Sequence, residues 1–315
     1  MMRKFTALFQ KGMLNNQRLT PVSQFALLLS FCGLGIILLS LLTGLIATNV
    51  LHVKLDQAVE AIFKPENVQV SRLLQVFSSF LMWGVPAIGV AAISGKDPVR
   101  QLGFNEVLSG KQFFFIVLMI IAGFALSGAL GELTRLVQIP KNAATYFQSL
   151  EDNYNKEVMM FATMKNINDY IFSIMMLAIV PALFEEMFFR GCLQQVMVSL
   201  TKNATAGILI TSIIFSAIHV SYYGFLPRLF LGLLLGYIFY YSKNIWLSVA
   251  AHFLNNAFAV TSIYSLSRSG KLTPEAMNED TYPLYYGLIA AAVIYALFLA
   301  FRKESTALIA RKIAV

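Results

Sequence analysis

Leu177-Ala-Ile-Val-Pro-Ala-Leu-Phe-Glu-Glu-Met-Phe-Phe-Arg190 sets two carboxylates and a guanidinium inside an otherwise apolar stretch. On a helix, residues four apart share a face, so Glu186 lies under Arg190 and Glu185 points about 100° away. The two glutamates therefore have different work. Pairing with Arg190 satisfies both charges and braces the helix through Glu186. Glu185 has no local partner, which suits a general base that collects a proton from water and returns it to a leaving amine. The plainer reading leaves Glu185 solvated at a membrane interface. Ionisable groups within a membrane are costly and mark functional sites by default.

Composition agrees that the surroundings are a bilayer. The 315 residues are 57% hydrophobic and 13% charged, against about 25% charged in a soluble domain. A spanning helix needs roughly 20 mainly apolar residues. That ruler predicts an all-α, polytopic transmembrane bundle with about eight spans, at 24–47, 72–93, 112–130, 170–189, 204–221, 227–242, 245–263 and 283–301. The first run exceeds the 7 to 15 residues of a signal-peptide core and is read as a retained anchor. No tandem repeat is visible, so residues 1–315 are read as one integral-membrane domain.

Basic residues orient the bundle. Arg3, Lys4, Lys11 and Arg18, then Lys96, Arg100 and Lys111, then Lys202, Lys243, Arg302, Lys303, Arg311 and Lys312 all fall on one side. That side is predicted to be cytoplasmic, with both termini inside. The formal charge of +8 is explained by this topology, and no nucleic-acid partner is expected. Two cysteines, Cys32 and Cys192, offer neither a disulfide framework nor a thiolate metal cluster. Gly232 and Gly236 form a small-residue face for close helix packing. The segment 141–169 reads either as an amphipathic interfacial helix or as a plain connection.

Two further apolar stretches carry imidazoles. Phe215-Ser-Ala-Ile-His219 closes the fifth span, and His252-Phe-Leu-Asn-Asn256 stacks His252 and Asn256 on one face of the seventh. A lone histidine on an apolar helix is more often a packing group than a catalyst, and His52 in a loop is assigned no role. If the chain turns at 201–203, Glu185 and His219 each lie roughly 25 Å from the turn and are level. Straight helices of equal length place His252 nearer the cytoplasm, a difference that helix tilt or a protruding turn must absorb.

Glu-Glu-x-x-x-Arg at 185–190, Phe-x-x-x-His at 215–219 and His-x-x-x-Asn at 252–256, in that order on separate helices, resemble the signature of the CAAX protease and bacteriocin-processing (Abi) family of intramembrane proteases. The resemblance covers residues 170–262, the expected catalytic core. It implies that Glu185 activates water, that His219 holds or polarises that water, and that His252 and Asn256 donate hydrogen bonds to the oxyanion. Glu186, Arg190 and Phe215 would support the helices. The family is often labelled metallopeptidase, and Glu185, His219 and His252 would be the ligands if zinc is bound. No His-Glu-x-x-His helix is present, however, and the metal-free course is preferred.

The resemblance further implies an endopeptidase acting on a membrane-associated peptide or protein, prenylated CAAX-type substrates among them, in a bacterial inner membrane. A non-catalytic immunity or scaffold protein, or a proton-coupled transporter, would use the same buried groups differently. The inverted repeats of a transporter are not visible in the sequence.

Overall fold

The computed structural model describes residues 18–94, 97–104, 108–161, 164, 166–272 and 283–313. Of the basic residues that orient the chain, Arg3, Lys4, Lys11 and Lys96 lie outside the described residues, as does the side chain of Lys312. Every longer element among the described residues is helical: α1 (Pro21–Asn49), α2 (Val68–Ser94), α3 (Gly110–Leu136), α4 (Lys141–Phe161), α5 (Ile167–Thr201), α6 (Ala204–Ala217), α7 (Phe225–Ser242), α8 (Ile245–Arg268) and α9 (Leu284–Ile313). Helices satisfy their own backbone polar groups, which is what hydrocarbon demands of a lipid-facing chain.

Six of them, α1, α2, α3, α5, α7 and α9, are long and apolar enough to cross a membrane. A helix also occupies each of the other two expected spans, but neither meets that measure. The reasons are physical. Helix α6 is only 14 residues long, because the chain turns at Ile218 instead of continuing to 221. Helix α8 has 24 residues but carries Ser248, His252, Asn255 and Asn256, which dilute its apolar character.

Polar residues set where the helices begin. Thr20 Oγ1 accepts from Ser23 N–H ahead of α1, Asn166 Oδ1 from Asp169 N–H ahead of α5, Asn203 Oδ1 from Ala206 N–H ahead of α6, and Asn244 Oδ1 from Trp246 N–H ahead of α8. Each satisfies a donor that a helix start leaves over. Lys202 and Lys243 end α5 and α7 in the left-handed conformation, so two tight hairpins, α5–α6 and α7–α8, run antiparallel.

Helix α5 is the central element and is not uniformly α-helical. Wide π turns at Met175–Ile179 and Phe189–Leu193 flank the regular segment Val180–Phe188, which holds both glutamates. Such turns are frequent at functional sites.

Small residues bring α5, α6 and α7 together. A Cβ on Gly232 would stand 3.1 Å from Ser212 Cα, and one on Gly236 would stand 2.8 Å from Ile208 Cγ2. The approach is closest at Gly207, whose added Cβ would lie 2.5 Å from Val198 N and 2.7 Å from Val198 Cα. Backbone cannot swing aside, so Gly207→Ala has to part α5 from α6. We expect it to cost about 1–3 kcal/mol, read as a lowered thermal midpoint in detergent. Gly131→Ala on α3, which meets nothing within 4 Å, is the matched control and should be neutral or slightly stabilising.

Two apolar cores result. One joins α3, α7 and α9 through Ile116, Met119, Leu235, Ile238 and Phe301. The other joins α1, α2, α5, α6 and α8 through Leu28, Ala87, Phe189, Phe215 and Ile245. The Lys111–Glu304 ion pair at 2.8 Å and the buried Gln112 to Ser305 hydrogen bond at 2.8 Å tie α3 to α9. On the outside, α1 exposes Leu29, Ile36, Ile37, Leu41 and Leu45, as a lipid-facing helix does.

Candidate active site

The second core surrounds a polar centre built by α5, α6, α7 and α8. Glu186 and Arg190 are fully buried, and Arg190 Nη1 donates to Glu186 Oε1 at 3.0 Å, the pair that helical spacing predicts. Arg190 does more than neutralise. Its Nη2 donates to the Gly232 carbonyl on α7 at 3.1 Å, and its guanidinium lies 5.0 Å from the Phe215 ring of α6. One side chain thus links three helices in surroundings where each contact is little screened.

Glu186 has a second partner that the sequence does not announce. His252 Nδ1 on α8 lies 2.9 Å from the same Oε1. A carboxylate only accepts, so Nδ1 carries the proton and Nε2 is the nitrogen left for chemistry. His252 Nε2 faces Glu185 Oε2 across 3.9 Å, beyond hydrogen-bond reach. Glu185 Oε2 is itself sealed from solvent and has no hydrogen-bond partner among the protein groups. The two glutamates therefore differ as their spacing implies. One is locked between a guanidinium and an imidazole, and the other presents an oxygen to the gap before His252.

His219 lies just past the end of α6, in the turn at Ile218–Gly224, rather than within a span. Its Nδ1–H donates to the Phe215 carbonyl at 2.7 Å, which again leaves Nε2 as the acceptor. Phe215 is the spacer between the imidazoles. Its ring meets His219 edge-on at 5.1 Å and His252 at 5.8 Å, so all three motifs converge on one centre. Asn256 follows one turn after His252, half-buried, with its Oδ1 accepting from Asn255 Nδ2 at 3.3 Å.

One charged residue of the centre was missed by sequence reasoning. Arg228, the only charged residue in α7, acts electrostatically on both Glu185 and His219. The signal was available: a cation in an apolar run is as costly as Glu185 and invites the same question.

The donor set was tested against zinc. Among the described residues no three His, Cys, Asp or Glu side chains converge as a metal site. Tetrahedral zinc holds its ligand atoms roughly 3.3 Å apart, whereas Glu185 Oε2 and His252 Nε2 are 3.9 Å apart. Both Nδ1 atoms are committed, to Glu186 and to the Phe215 carbonyl. This arrangement of Glu185, His219 and His252 does not fit a zinc ligand set.

Fold and site together define a membrane-embedded helical protein with a buried carboxylate–imidazole centre. Residues 167–258, which span α5 to the middle of α8, match the family described as type II CAAX prenyl endopeptidase Rce1-like, and the chain carries a domain of that membrane-protease family there. The match begins and ends within a few residues of the expected core and contains all three motifs. No curated protein and no solved structure matches the chain.

Proposed function

We propose that the protein is an intramembrane endopeptidase that hydrolyses a peptide bond of a membrane-associated protein or peptide through water activated by Glu185. The observation that carries this reading is the sealed Glu185 Oε2, without a protein hydrogen-bond partner and 3.9 Å from His252 Nε2. Water held between Glu185 and the His219 Nε2 acceptor gives its proton to Glu185 as its oxygen attacks the scissile carbonyl. The carbonyl π electrons move onto oxygen, where His252 Nε2–H and Asn256 Nδ2–H stabilise the charge. Collapse breaks the C–N bond, and Glu185 returns the proton to the leaving amine. Donation by His252 requires a proton on both ring nitrogens, and the ring lies between the two carboxylates. Glu186 and Arg190 hold the ring and the helix. Apolar walls favour a lipid-linked peptide, and prenylated C-terminal peptides are the class to test first. An eight-pass arrangement with cytoplasmic termini, in a bacterial inner membrane, completes the proposal.

The test is hydrolysis of a fluorogenic prenylated peptide by the purified protein in detergent, with and without chelator. Asn256→Ala should lower kcat by about 10²–10³-fold with little change in KM, the signature of a lost oxyanion donor. Unchanged kcat in that variant would remove Asn256 from the oxyanion site. Loss of activity in chelator would overturn the metal-free course. Equal cleavage of an unlipidated soluble peptide would overturn the substrate class. No cleavage of any peptide by folded wild type would favour a non-catalytic role.

A further inference from the structure

The turn that carries His219 is bound from outside by α4, the segment whose sequence reads equally as interfacial helix or connection. Val220, next to His219, has φ +49°. A β-branched residue in the left-handed region is a real outlier, kept only where its surroundings over-determine it.

Three contacts do so. Ser221 Oγ accepts from Gly224 N–H at 3.0 Å and donates to Glu151 Oε2 on α4 at 2.9 Å. Phe147, one helical turn before Glu151, stacks on Tyr222 with centroids 4.8 Å apart. On the inner side Ser216 Oγ donates to the Phe225 carbonyl at 2.6 Å. Glu151 and Ser221 are 9% and 6% exposed, so their hydrogen bond is little challenged by water. The turn also leaves no room at Gly224, where an added Cβ would lie 2.0 Å from Arg228 Nη1 and 2.7 Å from Ser221 Oγ. One small turn thus fixes both His219 and Arg228.

We propose that Glu151 is a positioning residue of the active site: by holding Ser221 it keeps the Val220 turn in its strained form and so aims His219 at the water that Glu185 activates. The inference rests on the endopeptidase reading above. His219 is tied at Nδ1 to helical backbone, and its Cα is set by the turn. Without the carboxylate acceptor, Ser221 Oγ is free to rotate away from Gly224 N–H and Val220 relaxes. A misplacement of about 1 Å can cost as much as 10²-fold in rate. Only part of that movement is allowed here, because the Phe215 carbonyl still restrains the ring.

The experiment compares wild type, Glu151→Ala, Glu151→Gln, Ser221→Ala and the double alanine variant. It uses steady-state hydrolysis of the prenylated peptide and hydrogen exchange of the 221–224 amides. Glu151→Ala and Ser221→Ala should each lower kcat about tenfold with KM within twofold, and the double variant should be no worse than either single one. Glu151→Gln keeps an oxygen acceptor and should recover to within about threefold of wild type. Exchange at 221–224 should speed up in Glu151→Ala and remain protected in Glu151→Gln. Unchanged exchange in Glu151→Ala, unchanged kcat with protection lost, or an effect on KM alone would each overturn the proposal. If Glu151→Ala fails to fold, Ser221→Ala and Glu151→Gln carry the same comparison. An inactive wild type whose exchange responds as expected would overturn the endopeptidase reading and leave the clamp standing.

Discussion

Glu185→Gln is expected to lower peptide hydrolysis by about 10²–10⁴-fold, the contribution of a general base, while leaving the protein as stable as wild type. The substitution is isosteric and removes the proton-accepting charge. Its effect on folding should be small, because Oε2 of Glu185 makes no protein hydrogen bond that would be lost. Glu186 cannot stand in for it. That carboxylate is fully buried, and its Oε1 is shared by Arg190 and His252. Steady-state kinetics on the prenylated peptide, paired with thermal midpoints in detergent, check both halves. Activity within a few-fold of wild type would sink the assignment of Glu185 as the base.

Arg190→Ala should do the reverse and damage the scaffold first. Removing one partner of a buried ion pair leaves an uncompensated charge and typically costs about 3–5 kcal/mol. Here it also removes the donor to the Gly232 carbonyl and the contact with Phe215. A fall in the thermal midpoint on the order of 10 °C follows from the usual scaling for domains of this size or somewhat smaller. The double variant Glu186→Gln/Arg190→Met removes both charges and should recover much of the loss, since an absent pair costs less than a broken one. It should stay poorly active, because an amide holds the His252 ring less firmly than a carboxylate does. A single variant as stable as wild type would show that Arg190 braces nothing.

These expectations indicate how far the sequence could be read. The Glu186–Arg190 pair was legible because it is local, four residues apart on one helix. The Glu186–His252 contact was not, since it joins residues 66 apart on different helices and no spacing rule reaches it. The levels of the histidines were misjudged for a related reason. Straight, equal helices put His252 nearer the cytoplasm, yet it meets both glutamates, because α5 contains two wide turns and α6 stops at Ala217. Counting spans by apolarity succeeded for six helices and fell short at α6 and α8. In α8 the residues that lower its apolarity include His252 and Asn256 themselves. The clamp of Glu151 on Ser221, 70 residues away, left no mark in composition or periodicity.

The wide turns at Met175–Ile179 and Phe189–Leu193 have a consequence for how α5 tolerates change. Each accommodates one residue more than an α-helical turn and so resets the azimuth of whatever follows. The nine residues Val180–Phe188 are therefore indexed like a dial between two couplings, with Glu185 and Glu186 set toward the histidines independently of which sides the two ends of the helix offer to lipid. Deleting one residue from either coupling would leave a longer run of ordinary helix and turn the dial by about 100°. Hydrophobicity, length and all three motifs would survive such a deletion, and the carboxylates would face the wrong way.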